Sequence, residues 1–153
     1  MRYWLMKSEP SAYSIDDLAR DKTTEWGGVR NYQARNFMRD QMRVGDKVLF
    51  YHSNCEQPGI VGIAEVCKPA HPDATQFDRK SKYYDAASTQ HAPRWLNVDI
   101  RFVRKTRLIG LPELRAHKPL RNMRILAKGN RLSITPVDPA EWEFIEALMK
   151  QKP

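Results

Sequence analysis

The sequence predicts an α+β domain, a barrel-like mixed sheet of about five to six strands flanked by short helices. Three observations lead there. Short segments rich in β-branched and aromatic residues recur between turn-forming clusters, as antiparallel strands do. Clear helix-start chemistry appears at intervals between and after them. At 153 residues the chain suits one domain, and no repeat, low-complexity tract or linker divides it.

Taken in order, Tyr3–Lys7 reads as a buried strand leading to Ser8-Glu9-Pro10. Ser14, with Asp17 three residues on, gives a capping-box start to a short helix ending at about Arg20. Asn31 caps a second helix, about Tyr32–Asp40, whose Phe37 and Met38 supply apolar contacts. Val44-Gly45-Asp46 turns into a strand at Lys47–His52, and Gly59–Cys67 is another, joined by a slightly long hairpin connection. Trp95–Phe102 alternates: Leu96, Val98, Ile100 and Phe102 face one side, Trp95, Asn97, Asp99 and Arg101 the other. That pattern predicts a half-buried antiparallel strand. Arg131–Thr135 is a shorter one.

The last helix is the best signalled. Asp138 is its N-cap, Pro139 takes the first helical position, Glu141 completes a capping box and Val137 staples onto Trp142. Phe144, Ile145, Leu148 and Met149 then form an apolar face. Between Lys68 and Arg94 periodicity is lost, yet Phe77, Tyr83 and Tyr84 are more than a disordered linker would carry. An ordered loop draped over the domain is expected there, and long loops of that kind are often functional.

Composition narrows the function. A hydrophobic share of 41% and a charged share of 29% are ordinary for a soluble globular protein. No apolar run approaches the roughly 20 residues needed to cross a bilayer. The opening Met1–Lys7 is too short and lacks a small-residue cleavage site, so it is not a signal peptide. Cys55 and Cys67 give no disulfide framework, which predicts a reducing, cytoplasmic setting. A net charge of +8 and a pI near 9.7 favour an anionic partner, with nucleic acid ahead of membrane because no basic amphipathic helix is present. Local basic excesses fall at 101–107 and 115–131.

Catalytic signatures are missing. His52, Cys55, Cys67 and His71 superficially spell a zinc site, but a hairpin at residues 53–58 carries Cys67 on the order of 25 Å up the returning strand. Zinc ligands must converge to about 2 Å, so no metal is expected and Cys67 reads as a core thiol. His52 and Ser53 are strand neighbours pointing to opposite faces, and no nucleophile elbow or glycine-rich phosphate loop occurs. The expectation is a non-enzymatic protein without cofactor.

A binding constellation remains. Residues 26–38 place Trp26, Gly27-Gly28, Val29, Arg30 and Asn31 directly before a helix, with Arg35 inside it. A planar face, an approachable backbone and a cationic helix start suit a base and its phosphate. Trp26 is either core or pocket wall, and Asn31 is foremost the helix cap. Tyr51-His52-Ser53 end a strand where polar groups can face a pocket, although a tyrosine there more often packs inward. Tyr83 and Tyr84 are either base-stacking aromatics or anchors of their loop.

The stretches at 3–18, 26–38, 45–54, 59–66, 83–85, 94–102 and 131–137 together resemble EVE domain proteins of the thymocyte-nuclear-protein type, in the PUA-like superfamily. That resemblance spans nearly the whole chain. It implies a PUA-like mixed β-barrel and kinship with YTH domains, which hold a methylated adenine in an aromatic cage. EVE domains are regarded as similar readers, notably of modified cytosine in DNA. By that likeness Trp26 is one cage wall. Lys7-Ser8, Arg30-Asn31 and Tyr51-His52-Ser53 line the pocket, and Tyr83 or Tyr84 approaches from the loop. The expected partner is nucleic acid, DNA or RNA, carrying a modified base and bound by a monomer. The alternative is a PUA-like RNA-binding module without modified-base selectivity.

Overall fold

The computed structural model describes residues 1–152. Strand β1 (Tyr3–Ser8) runs parallel to β3 (Lys47–His52) and antiparallel to β6 (Ile134–Val137). β3 turns back into the long β4 (Gly59–Pro72), β4 pairs with β5 (Leu96–Gly110), and the short β2 (Thr23–Glu25) closes the far edge on β5. The order β2-β5-β4-β3-β1-β6 is a six-stranded mixed sheet. Its edges, β2 and β6, are not paired to one another, so the sheet is not closed into the expected barrel. Helices α1 (Ile15–Asp21), α2 (Tyr32–Asn36), α3 (Leu111–Ala116) and α4 (Pro139–Met149) accompany it, which makes the class α+β.

Local chemistry explains the helix starts. Asp17 donates its N–H to Ser14 Oγ at 3.1 Å while its own carboxylate accepts the Ser14 N–H at 2.9 Å, the reciprocal cap predicted for α1. Asn31 Oδ1 accepts the Ala34 N–H at 3.0 Å and starts α2. At α4 the Glu141 carboxylate accepts the Asp138 N–H at 3.0 Å, with Pro139 in the first turn.

Because strand side chains alternate, the sheet sorts its residues into two cores. Trp4, Met6, Val48 and Phe50 join Ile15, Leu18, Trp26 and Met38 on one face. Leu5, Leu49 and Tyr51 join Leu114, Leu120, Trp142, Ile145 and Leu148 on the other. This division decides which predicted site residues can meet.

Several elements differ from expectation. β4 and β5 run on to Pro72 and Gly110, past the expected ends, and register shifts between them break the two-residue alternation by which a strand is recognised. β5 is buried on both faces through Ile100, since Asn97 and Asp99 are buried along with Val98 and Ile100. α2 ends at Asn36 and relaxes into a π-type turn at Phe37–Gln41, closed by Met42 N–H donating to the Phe37 carbonyl at 2.8 Å. The last strand begins at Ile134 rather than Arg131. β2 and α3 were not expected: the first is three residues long, and the second follows a glycine cap with no side chain, its start marked only by Pro112 and Glu113 in the first turn. Cys67 is half-buried and not a core thiol, with burial pushing its pKa up.

Candidate nucleic-acid interface

An open cleft of ≈ 590 Å³ lies between the end of β1 and the turn after β2, with the 82–83 loop segment along its rim. Trp26 stands where β2 ends. Its N–H donates to the Val98 carbonyl at 2.9 Å, and its ring meets Phe50 edge-on at 5.8 Å. Trp26 is 9% exposed, seated in the first core and lining the cleft. It is therefore both core and wall.

Gly28 then bends the chain at φ +79°, a conformation that side chains disfavour. A Cβ there would come within 2.7 Å of the Tyr83 ring, so absence of a side chain is what lets Tyr83 close over the turn. Asp73, 2% exposed, ties these pieces together. One of its oxygens accepts the Gly28 N–H at 2.7 Å and Arg30 at 3.2 Å; the other accepts the Thr75 N–H at 2.8 Å and the Thr75 hydroxyl at 2.5 Å. Burial pushes the Asp73 carboxyl up. Thr75, the Gly28 amide and Arg30 outweigh burial and hold it below the usual carboxylate range.

Arg30 is consumed by this clamp. Besides Asp73 it donates to the Tyr83 carbonyl at 2.7 and 3.1 Å, to Thr75 and to the Val29 carbonyl. Its guanidinium also lies 5.4 Å from the Tyr83 ring centre and 5.2 Å from that of Trp95. Trp95 stacks on Tyr32 at 4.7 Å, and Arg35 covers the other ring at 4.7 Å. A column of cations and rings thus fastens the long loop to the α2 start.

Of the residues singled out in the sequence, Lys7, Ser8, Trp26, Val29, Arg30, Asn31 and Tyr83 line the cleft. Among these, Lys7 has no ion pair or hydrogen-bond acceptor among the described residues, and burial lowers its pKa. Within the described residues its ammonium is free, as is that of Lys82 on the rim, which lies 5.1 Å from the Tyr83 ring centre. Ser8 Oγ donates to the Tyr13 carbonyl at 2.6 Å, and Asn31 keeps its amide NH₂ after capping α2.

The remaining candidates do not line the cleft, each for a specific reason. Tyr51 is one residue out of phase with Phe50, so it sits in the second core at 3% exposure, on the wrong face for the cleft. His52 has the right phase, but its Nε2 accepts the Ile15 N–H at 3.1 Å and the ring packs edge-on to Phe50. It anchors α1, and burial lowers its pKa. Ser53 does not line the cleft; its N–H continues the β1–β3 ladder to the Ser8 carbonyl at 3.0 Å. Arg35 donates to Asn36 and the Arg94 carbonyl and lies outside. Tyr84 is exposed beyond the rim.

Sequence reasoning missed Asp73, Tyr13, Glu9, Glu25 and Ser133. Asp73 is separated from Gly28 by 45 positions, and nothing local marks a lone aspartate as a clamp. Beside the cleft, Glu25, His71 and Asp99 bring one ligand atom each within 4.8 Å, a set able to hold a metal ion. Here His71 Nε2 is hydrogen-bonded to Asp99 at 2.7 Å, and Lys68 approaches the other Asp99 oxygen at 3.8 Å.

Comparison with known proteins adds context. Residues 2–148 match the EVE domain. Chicken thymocyte nuclear protein 1 is 45% identical over 99% of this chain and 70% of its own length. A hypothetical protein from Leishmania major superposes with a TM-score of 0.93 at 46% identity, covering 98% of this chain and 95% of that one. Human THYN1 protein, crystallised in complex with DNA containing 5-methylcytosine, superposes at 0.92 with 44% identity over 100% of both chains.

Proposed function

This chain belongs to the EVE domain family, and on that premise we propose that it is a non-enzymatic reader of modified cytosine in DNA. The observation that carries the reading is the cleft itself, whose lining brings together Trp26 and an unpaired Lys7. The human relative's complex with 5-methylcytosine DNA supports DNA as partner and cytosine as base.

Each part has a physical task. Taking a base out of the stack costs a few kcal/mol, and an aromatic wall returns about 1–3 kcal/mol. Trp26 and Tyr83 supply the aromatic surface, and the Gly27-Gly28 backbone admits close approach. Lys7 and the Asn31 NH₂ serve as donors to the cytosine carbonyl edge, while Glu9 and Glu25 offer acceptors for its amino group. A buried 5-methyl group adds about 0.8 kcal/mol, a few-fold preference. Larger selectivity needs a clash with, or a lost hydrogen bond to, the competing base.

The test is titration with duplexes identical except at one cytosine, unmodified, 5-methyl or 5-hydroxymethyl, beside an RNA of the same sequence. Several-fold tighter binding to a modified duplex is expected. Equal binding to all, suppressed fully by salt, would overturn base reading and leave a general nucleic-acid module.

A further inference from the structure

The two basic runs of the sequence meet opposite fates. Arg101–Arg107 lies in β5, and three of its four charges are neutralised within the molecule, Arg104 alone meeting only the Met149 sulfur at 3.8 Å. Arg101 pairs with Glu65, Lys105 with Asp16 at 2.8 Å, and Arg107 with Glu113 at 2.8 Å while also donating to the Leu148 and Gln151 carbonyls. The second run has no such partners. From Leu114 to Val137 the chain carries Arg115, Lys118, Arg121, Arg124, Lys128 and Arg131 and no carboxylate at all. All six are exposed. Among the described residues, none joins an ion pair or donates a side-chain hydrogen bond, so most of the +8 net charge is unopposed there.

This segment is not a loose tail. Leu114, Leu120 and Met123 are buried in the second core, tight 3-10 turns follow at Lys118–Leu120 and Arg124–Leu126, and Asn130 donates to the Arg124 carbonyl at 2.7 Å. Lys118 and Arg121, with Pro119 and Asn122, border a shallow hollow of ≈ 480 Å³. The run ends at Arg131, two residues before Ser133, which lines the cleft and whose carbonyl accepts the Lys7 N–H at 2.8 Å.

We propose that 115–131 is a seat for the sugar–phosphate backbone of the DNA whose modified base enters the cleft, an inference that rests on the reading above. Unpaired exposed cations repel one another, and a polyanion with regularly spaced charge relieves that repulsion. A lipid surface fits less well. The segment's large apolar side chains Leu114, Leu120 and Met123 face the core, leaving little to insert between acyl chains.

The full chain and a Lys118→Gln/Arg121→Gln/Arg124→Gln variant are titrated with methylated and unmethylated duplexes between 50 and 200 mM salt. Each lost phosphate contact flattens the log–log salt dependence by about 0.9. The variant is expected to lose about 2–3 in slope, weaken on both duplexes alike, and keep the wild-type selectivity ratio. An Arg115→Gln/Lys128→Gln variant, expected to lose up to about 2, repeats the test if the first fails to fold. An unchanged slope and affinity in a folded variant overturns the seat. So does wild-type preference for anionic vesicles or an acidic peptide over DNA. If the wild type shows no base selectivity yet the variant's slope still falls, the cleft reading fails and the backbone seat stands.

Discussion

The turn at Trp26–Asn31 and the strand end at Tyr51–Ser53 looked alike in sequence: each sets an aromatic beside polar groups next to a structural boundary. Their outcomes differ. The turn escapes strand alternation at Gly27-Gly28, so successive residues Trp26 through Asn31 all reach one cleft. The strand end cannot escape it, and Tyr51, His52 and Ser53 are distributed among the second core, the α1 N-terminus and the β1 ladder. A glycine-bearing turn can concentrate chemistry that a regular strand must share between two faces.

Substitutions sharpen that contrast. Trp26→Ala is expected to have the largest effect: about 3–5 kcal/mol of stability from the lost core contact. Affinity for a modified duplex should fall by about 10–100-fold from lost stacking. Trp26→Phe, followed by thermal melting and titration together, should retain much of the first and less of the second. If Trp26→Ala folds and binds as wild type, the turn is only structural.

Asp73→Ala comes next. It leaves the Gly28 amide and Arg30 without their acceptor and should cost about 2–3 kcal/mol in a urea melt. Acid should mimic it. Asp73 titrates lower in the folded protein than in the unfolded chain, so its contribution is present above the ordinary carboxylate pKa and is lost as pH falls through the folded value. The stability decrement of Asp73→Ala should therefore shrink below about pH 4. A decrement independent of pH would contradict the clamp.

How much of this was legible in the sequence follows from how local each signal is. The three caps at Ser14, Asn31 and Asp138 and the bounds of β3 were readable because they depend on residues within one turn or one strand. So was the Trp26 turn, whose glycines and cap are adjacent. The cleft's opposite wall was not readable in full. Ser133 is brought to Lys7 only by β1–β6 pairing, and Asp73 reaches Gly28 across a loop with no periodicity. Tyr51 was misplaced although its phase is fixed by its neighbours, because sequence alternation does not say which face carries the ligand.

Gly28→Ala is expected to cost about 1–2 kcal/mol for the left-handed backbone. It should also weaken modified-base binding, because the new Cβ displaces the Tyr83 ring. Wild-type affinity in this variant would show that Tyr83 is not a wall. The smallest effect belongs to the strand end. His52→Ala should lose about 1 kcal/mol by orphaning the Ile15 amide and leave DNA selectivity unchanged. Burial lowers the His52 pKa, so its contribution is present above about pH 6.5 and fades as pH falls through the folded value. A change in selectivity would return the strand end to the site.

The most direct measurement is a proton–nitrogen NMR titration of the labelled chain with a duplex carrying one 5-methylcytosine. Base capture predicts that the Trp26 indole N–H and the Gly27 and Gly28 amides shift or broaden early, and less with the unmethylated duplex. Shifts confined to the basic surface at 115–131, with Trp26 and both glycines unmoved, would contradict it.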